Sequence, residues 1–231
     1  SILSDQNLMI TNMSTETVSL RLSGARSDLN KLDASNLSVR VDLSKINEPG
    51  ERIALSYTPS YPSGVSNDDI VVEERNPSVI YVDVDYRRNR EIPVQVKYTG
   101  TRSEDHLYDT ENVVLDYTSV TVTGPASVVD QIQVAVIEVD LTDRVESFSE
   151  SLRYTLCDEN EEPVDAAQIT TNVEQIRVDM QIQRIQELEL VADVIYGGGA
   201  TEENTSVKIE PATIRVSGSD ALLAELGETY T

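Results

Sequence analysis

The chain is organised around the stretch Ser119-Val120-Thr121-Val122-Thr123-Gly124-Pro125, which alternates valine with threonine and ends in glycine and proline. This alternation is typical of a half-buried β-strand, in which successive side chains point to opposite faces. A glycine at the end of such a strand lets the backbone take a positive φ or approach another segment closely. Ser127 then follows as a helix N-cap candidate, with the apolar pair Val128-Val129 behind it. The stretch therefore predicts a strand, a glycine and a short helix, in that order.

The same pattern occurs twice more. Ser19-Leu20-Arg21-Leu22-Ser23-Gly24 and Thr213-Ile214-Arg215-Val216-Ser217-Gly218 also alternate apolar and polar residues and end in glycine. In each copy a serine and apolar residues follow, which predicts one short helix per copy. Gly24, Gly124 and Gly218 are 100 and 94 residues apart. That spacing is the size of a whole small domain rather than of a solenoid repeat.

The first two copies continue to match beyond the glycine. Val39-Arg40-Val41-Asp42-Leu43-Ser44 is similar to Ile137-Glu138-Val139-Asp140-Leu141-Thr142, and Tyr57 then matches Tyr154. The third copy stops before it reaches this part. The chain is therefore interpreted as two complete modules followed by part of a third.

The matches also set the module boundaries. We predict modules at residues 1–88, 89–184 and 185–231, the last of them truncated. The joints near Tyr86–Arg90 and Gln183–Gln186 contain no run of glycine, serine or proline, so we expect little slack there. The predicted fold class is all-β, mainly strand with one short helix per module.

Composition and charge exclude several classes of function. The 231 residues include 41 acidic and 18 basic side chains, for a formal net charge of −23 at pH 7. This charge repels the phosphates of nucleic acids and anionic lipids, which argues against direct binding to either. One cysteine and one histidine form neither an internal disulfide nor a Cys/His zinc site. The longest apolar runs, such as Val134–Ile137, have four residues, whereas a membrane span needs about 20.

His106 and Cys157 are the side chains whose chemistry comes closest to catalysis. His106 ends the polar segment Thr101–His106, and we expect a solvated loop histidine, because a sequence neighbour such as Asp105 rarely reaches catalytic geometry. Cys157 ends the stretch Tyr154–Cys157 and is interpreted as a packing residue at a strand end. A catalytic thiol would need a histidine partner, and His106 lies far along the chain.

The acidic clusters and the triple glycine are predicted to be structural. Asn67-Asp68-Asp69 and Asp158–Glu162 lack the spacing of an EF-hand, so solvated loops are favoured over weak cation binding. Asp83 and Asp85 share one strand face, where a solvated outer surface is favoured over a catalytic carboxylate pair. No lysine followed by serine or threonine comes after Gly197-Gly198-Gly199, so this run predicts a flexible hairpin rather than a phosphate loop.

The residues that recur between copies are interpreted as structural too. Asp42 and Asp140 favour a shared turn, in which the carboxylate accepts hydrogen bonds from nearby backbone amides, over a shared binding site. The same interpretation applies to Gly24, Gly124 and Gly218. The sequence thus predicts structural motif residues, and no catalytic, cofactor-binding or metal-binding residue.

Taken together, the motifs resemble a known family. The order Val120–Pro125, then Val128–Ile132, then Val139–Thr142 is similar to the pattern of the YbbR domain, a bacterial module that occurs in tandem. The second copy matches best. The first departs at Ala25, where the family often has proline, and the third departs at Ser219.

The resemblance implies a fold, a location and a partner. It implies strands that cross in a figure-eight path, similar to the C-terminal domain of ribosomal L25-type proteins. It also implies a position outside the cytoplasm, one N-terminal membrane helix, no cofactor, and association with a membrane-anchored diadenylate cyclase that makes cyclic di-AMP. The sequence begins at Ser1 without methionine or a signal-peptide pattern, so we expect a longer protein that carries this helix.

Three functions are compatible with these residues and with the resemblance. The favoured one is a non-catalytic, extracytoplasmic regulatory and interaction region that modulates the cyclase. The alternative is a cell-surface module that binds wall components or calcium through its acidic loops. A hydrolase or transferase is the third, and it needs a clustered nucleophile and base. The oligomeric state is left open.

Overall fold

A computed structural model describes residue 3, residues 6–226 and the backbone of residues 229–230 of the protein. Its short helices include α1 (Arg26–Leu29), α2 (Ala126–Val129) and α3 (Asp220–Leu226). Among the described residues, no helix combines the length and the apolar character needed to cross a bilayer.

Most of the remaining regular structure is strand. In chain order the strands are β1 (Leu8–Met13), β2 (Ser19–Gly24), β3 (Ser38–Val41), β4 (Gly50–Leu55), β5 (Tyr57–Ser60), β6 (Ile70–Asn76), β7 (Ile80–Thr99), β8 (His106–Tyr108), β9 (Val114–Leu115), β10 (Ser119–Pro125), β11 (Val134–Asp140), β12 (Phe148–Arg153), β13 (Thr155–Cys157), β14 (Thr170–Thr171), β15 (Gln175–Met180), β16 (Ile182–Leu190), β17 (Thr213–Gly218) and β18 (Thr229–Tyr230).

Each of the three motifs forms a strand followed at once by a helix. The glycines lie at or next to the ends of β2, β10 and β17, and α1, α2 and α3 come directly afterwards. In β10 the alternation buries Val120 and Val122 completely, while Thr121 and Thr123 stay half-exposed. The prediction of a mainly-β fold with one short helix per motif is therefore confirmed. The figure-eight path stays a prediction.

The contacts of the chain group into two units. Unit 1 comprises Ser1–Ile92, Thr121–Gln133 and Cys157–Asn172, and unit 2 comprises Pro93–Val120, Val134–Leu156 and Val173–Thr231. The strand β7 runs unbroken through the joint expected near Tyr86–Arg90, and it contributes its first part to unit 1 and its second part to unit 2. The module boundaries at residues 88 and 184 stay predictions.

In unit 1 the first part of β7 is central. It pairs antiparallel with β1 and with β4, so that Val84 faces Ile10 in one ladder and Gly50 in the other. The pairs β2–β6, β3–β5 and β10–β14 are also antiparallel. The alternation of apolar residues along β7 places every second side chain in a core. That core consists of Leu3, Leu8, Ile46, Leu55, Tyr57, Ile80, Val82 and Val84.

In unit 2 the second part of β7 pairs in parallel with β11, from Val94 opposite Ala135 to Thr99 opposite Asp140. The strand β15 lies between β12 and β9, with antiparallel pairing on both sides. The strand β16 pairs antiparallel with β17 and β8 and parallel with the backbone of β18. The buried side chains of unit 2 include Ala135, Ile137, Val139, Ile176, Val178, Met180 and Leu188.

Candidate functional site

Two of the motif glycines occupy equivalent surroundings. A Cβ atom on Gly24 would lie 2.6 Å from the carbonyl oxygen of Asp69, and one on Gly124 would lie 2.9 Å from the carbonyl oxygen of Gln168. On Gly124 it would also lie 2.5 Å from Cδ1 of Ile169. A side chain at either position would collide with main chain, so the missing Cβ is what permits this close approach.

Gly218, the third motif glycine, has different surroundings. The nearest described atoms to a Cβ there belong to the side chains of Leu223 and Leu222, at 3.7 Å and 3.8 Å. These are ordinary van der Waals distances. The third motif thus shares the strand and the helix, but not the close main-chain approach.

The motif aspartates form the same turn in both copies. Oδ1 of Asp42 accepts hydrogen bonds from the N–H and the hydroxyl of Ser44, at 2.9 Å and 2.6 Å. Oδ1 of Asp140 accepts the equivalent bonds from Thr142, at 2.9 Å and 2.7 Å. The Ser44 hydroxyl and N–H lower the pKa of Asp42, and the Thr142 N–H and hydroxyl lower the pKa of Asp140. Both carboxylates therefore close a local turn.

Ser103, Asp105 and His106 come together in unit 2. His106 begins β8, where it pairs with Arg184, and its side chain is only 12% exposed. The expectation of a solvated loop histidine is therefore wrong, because strand pairing draws the residue out of the loop. Oδ1 of Asp105 lies 2.9 Å from Nδ1 of His106 and also accepts the Ser103 hydroxyl. The hydrogen bonds from Ser103 and then His106 lower the pKa of Asp105.

This cluster does not have the geometry of a serine hydrolase. A catalytic triad needs the serine hydroxyl on one imidazole nitrogen and the carboxylate on the other. Here Oγ of Ser103 lies 3.4 Å from Nδ1 of His106, the same nitrogen that faces Asp105. The hydroxyl also donates to the carboxylate rather than to the imidazole. The three side chains therefore fix the turn that leads into β8.

Asp83 and Asp85 bind main-chain groups, so the prediction of a solvated outer face is wrong. Oδ1 of Asp83 accepts the N–H of Arg52 at 2.7 Å, and Oδ2 of Asp85 accepts the N–H of Ser127 at 2.9 Å. Both side chains are half-buried. The Arg52 N–H is the main cause that lowers the pKa of Asp83. Burial acts to raise the pKa of Asp85, but hydrogen bonds from Ser127 and Tyr86 outweigh it and lower that pKa.

The acidic loop Asp158–Glu162 uses its first carboxylate internally. Oδ1 of Asp158 accepts the N–H groups of Asn160 and Glu162, at 2.8 Å and 3.0 Å. Asn67-Asp68-Asp69 is an exposed turn before β6. Within the part of the chain that the structure describes, no three His, Cys, Asp or Glu side chains are grouped to hold a metal ion.

Cys157 is buried at a strand end, and the triple glycine lies in open surroundings. Cys157 ends β13, is 3% exposed, and accepts the N–H of Gln133 on its carbonyl oxygen at 2.8 Å. Gly198 and Gly199 form a turn with φ values of +64° and +97°, a region that glycine adopts readily. No described atom lies within 4 Å of a Cβ placed on Gly197, Gly198 or Gly199.

An arginine-lined cleft in unit 1 is the feature that sequence reasoning missed. It has a volume of about 690 Å³ and is lined by Asn7, Arg87, Arg88, Asn89, Arg90 and Thr123. Three arginines within four positions, in a chain of net charge −23, are the sequence signal that could have identified it.

Arg90 belongs to a pair of β7 side chains that hold α2 at both ends. At the start of the helix, Asp85 accepts the N–H of Ser127. At the end, Nη1 of Arg90 donates to the carbonyl oxygens of Val129 and Ile132, at 3.0 Å and 3.1 Å. An acid at the start and a base at the end match the partial charges of a helix. These carbonyl acceptors are neutral, so they fix the guanidinium without cancelling its charge.

The other two arginines differ in their partners. Nη1 of Arg88 lies 3.1 Å from Oδ1 of Asp130, and both side chains are 47% exposed. The N–H of Arg87 donates to the carbonyl oxygen of Asn7 at 2.7 Å. Among the described residues the exposed guanidinium of Arg87 has no hydrogen-bond or ion-pair partner. Arg87 and Arg90 thus form no ion pair with an acid among the described residues.

Comparison with known proteins identifies a matching family model and a similar curated protein. A family model described as YbbR-like protein matches residues 2–84 and 92–179. The chain is 22% identical over 226 residues to the CdaA regulatory protein CdaR of Bacillus subtilis (strain 168), an alignment that covers 96% of this chain and 44% of that protein. The chain therefore spans less than half the length of this curated relative.

Two solved structures are also similar. One is the crystal structure of a YbbR-like protein from Streptococcus pneumoniae TIGR4, at 16% identity and a TM-score of 0.37, covering 78% of this chain and 87% of that one. The other is the solution structure of SuR18C from Streptococcus thermophilus, at 16% identity and a TM-score of 0.34, covering 48% of this chain and 94% of that one.

Proposed function

This chain belongs to the YbbR-like family, and on that premise we propose that it is the regulatory and interaction region of a membrane protein that modulates a diadenylate cyclase. The region lies outside the cytoplasm, and a membrane helix N-terminal to it anchors it beside the enzyme. It binds partners and catalyses no reaction of its own. One observation carries the proposal: 96% of the chain aligns with CdaR, a protein whose name describes it as a regulator of CdaA.

The arrangement of the reactive side chains supports a role in binding rather than catalysis. Ser103 and Asp105 both contact the same nitrogen of His106, which leaves no relay from a nucleophile to a base. Asp42 and Asp140 are used in turns of matching geometry. The side chains that could have supplied chemistry are therefore engaged in holding the fold.

Regulation requires that a partner distinguish two states of the protein. A ligand or neighbouring molecule shifts the cyclase only if it binds the modules with different affinity in the active and inactive states. The strand modules provide the binding surface, and the membrane helix carries the difference to the enzyme. The sign of the effect is set by which state the partner prefers.

Co-purification and nucleotide measurement test the proposal together. The full-length protein is expressed with the diadenylate cyclase of the same cell, and a matched version lacks residues 1–231 but keeps the rest of the chain. We expect the full-length protein to retain the cyclase on affinity resin and its deletion to change cyclic di-AMP levels. A third strain, which carries the version without residues 1–231, should show the same altered cyclic di-AMP level as the deletion strain. Equal cyclic di-AMP in all three strains, with the cyclase present, would refute the regulatory role.

Location is tested with a single engineered thiol. Cys157 is 3% exposed, so the natural chain should resist a membrane-impermeant maleimide. Gly197 has open space around its Cβ position, which makes Gly197→Cys a suitable exposed site. In intact cells we expect Gly197→Cys to be labelled and the unaltered chain to stay unlabelled. Labelling of Gly197→Cys only after lysis would place the region in the cytoplasm instead.

A further inference from the structure

We propose that the arginine-lined cleft of unit 1 binds a phosphate group carried on a small apolar moiety. This inference is independent of the cyclase, because it rests on the cleft alone. Its starting point is charge: Arg87, Arg88 and Arg90 gather in a protein of net charge −23. The described lining residues include no acid. Asp130 pairs with Arg88, so the positive character of the cleft comes from Arg87 and Arg90, and these two charges attract anions.

The donors around the cleft suit an oxyanion with several oxygens. Guanidinium groups present paired N–H donors whose spacing matches phosphate, and Asn7, Asn89 and Thr123 add neutral hydrogen-bonding groups. Arg90 is already held by the carbonyls of Val129 and Ile132, so binding costs little further ordering of that side chain. Arg87 is exposed and without a side-chain partner among the described residues. It is the group that a bound phosphate would engage.

A second, more apolar space adjoins the cleft. Arg87 and Thr123 line both spaces, so the two lie side by side. The second space has a volume of about 350 Å³, and its lining includes Leu8, Ile10 and Leu43. Small-molecule sites typically combine apolar walls with a few fixed polar groups and span roughly 300–1,000 Å³. The ligand that fits both spaces has a phosphate at one end and an apolar group at the other.

Phenyl phosphate is a soluble probe of this chemistry. The 231-residue chain is titrated by calorimetry with phenyl phosphate, with inorganic phosphate and with phenyl glucoside, which has the ring but no charge. We expect phenyl phosphate to bind at least tenfold more tightly than either comparison compound. Arg87→Gln should weaken the binding of phenyl phosphate at least tenfold. Arg87→Lys should weaken it less, because lysine keeps the positive charge but lacks the paired N–H donors of the guanidinium.

A matched control separates the cleft from general charge. Arg40 lies on β3 and is exposed, so Arg40→Gln removes the same charge elsewhere in unit 1 and should leave binding unchanged. Circular dichroism melts confirm that the variants fold. Phenyl phosphate that fails to bind, or that binds Arg87→Gln as well as it binds the unaltered chain, would overturn the proposal.

The natural phosphate could come from a soluble ester or from a lipid headgroup, and vesicles distinguish the two. Phosphatidylcholine vesicles with and without phosphatidic acid are sedimented with the chain and with Arg87→Gln. Arg87-dependent binding to phosphatidic acid would assign the phosphate to a lipid. Binding of phenyl phosphate without vesicle binding would assign it to a soluble ester.

Discussion

The hydroxyl of Tyr57, a side chain that is 1% exposed, donates a 2.5 Å hydrogen bond to the main-chain carbonyl oxygen of Pro77. Tyr154, its counterpart in the second copy, donates the same kind of bond to the carbonyl oxygen of Val173. In both copies the acceptor lies two or three residues before a strand that begins with alternating apolar and polar side chains, β7 or β15. The tyrosine therefore ties the middle of each copy to the segment that enters its last strand.

Tyr57→Phe should destabilise unit 1 by about 1–2 kcal/mol, because it leaves the Pro77 carbonyl without its side-chain donor in a partly buried site. Urea unfolding followed by circular dichroism measures the change. Tyr86→Phe is the control, since Tyr86 is 49% exposed, and it should change stability by less than about 0.5 kcal/mol. Equal midpoints for Tyr57→Phe and the unaltered chain would show that this bond contributes nothing.

Gly124→Ala should cost about 2–3 kcal/mol, because the new methyl group would overlap main chain and Cδ1 of Ile169. Gly218→Ala repeats the substitution in the third motif, where the nearest described atoms are 3.7 Å away, and should cost less than about 1 kcal/mol. Thermal melting compares the two variants. If Gly218→Ala proved the more damaging, the close approach would not be what requires glycine.

The Arg144–Glu150 pair should show a measurable coupling energy. Nη1 and Nη2 of Arg144 donate to the two carboxylate oxygens of Glu150, at 2.9 Å and 2.8 Å, and the guanidinium lies 4.2 Å from the ring centroid of Phe148. A double-mutant cycle with Arg144→Met and Glu150→Gln should give about 1 kcal/mol.

The same cycle on Arg177 and Asp179 is the control. These residues share a single contact of 3.3 Å, and the Arg177 side chain is 54% exposed. We expect a coupling energy below about 0.5 kcal/mol there. Coupling at Arg144–Glu150 that is no larger than this would contradict the role assigned to the paired hydrogen bonds.

Stability should depend on pH through Asp140. Its folded-state pKa lies below the ordinary value of 3.8, so its hydrogen bonds to Thr142 contribute fully above that value and are lost as the pH falls through the folded pKa. Asp140→Asn should therefore be less stable than the unaltered chain at pH 6, and this difference in the free energy of unfolding should narrow below pH 3.8. Unfolding curves at pH 6, 4.5 and 3 measure the difference.

Glu138→Gln removes one negative charge from an exposed position in the same strand and controls for net charge. It should show no comparable narrowing. A constant difference between Asp140→Asn and the unaltered chain across this pH range would mean that the turn does not depend on the ionised carboxylate.

Short local patterns in the sequence were enough to predict the motif strands and the helices that follow them. The alternation in β10 and the glycine that follows are readable within seven residues, and so the strand and the helix behind it could be predicted. The turn partners of Asp42 and Asp140 are also local, because each accepts from a residue two positions later.

Hydrogen-bond and strand-pairing partners that lie far apart in the chain could not be predicted from the sequence. Asp85 and Ser127 are 42 positions apart, and Asp83 and Arg52 are 31 apart, so nothing near either aspartate reveals that it binds main chain. His106 was misplaced for the same reason, since its strand partner is Arg184. The arginine cluster was visible in the sequence, but only the folded chain shows that it lines a cleft.

The hydrogen bonds that join Asp85 and Arg90 to α2 determine where the chain can be cut into a folded fragment. A fragment that ends at residue 88 contains Asp85 but lacks both Arg90 and the helix α2, to which the two side chains are hydrogen-bonded. Ser127 would belong to a different polypeptide. We therefore expect an autonomous N-terminal fragment to extend at least through Ile132, well past the point where the sequence period suggests a cut.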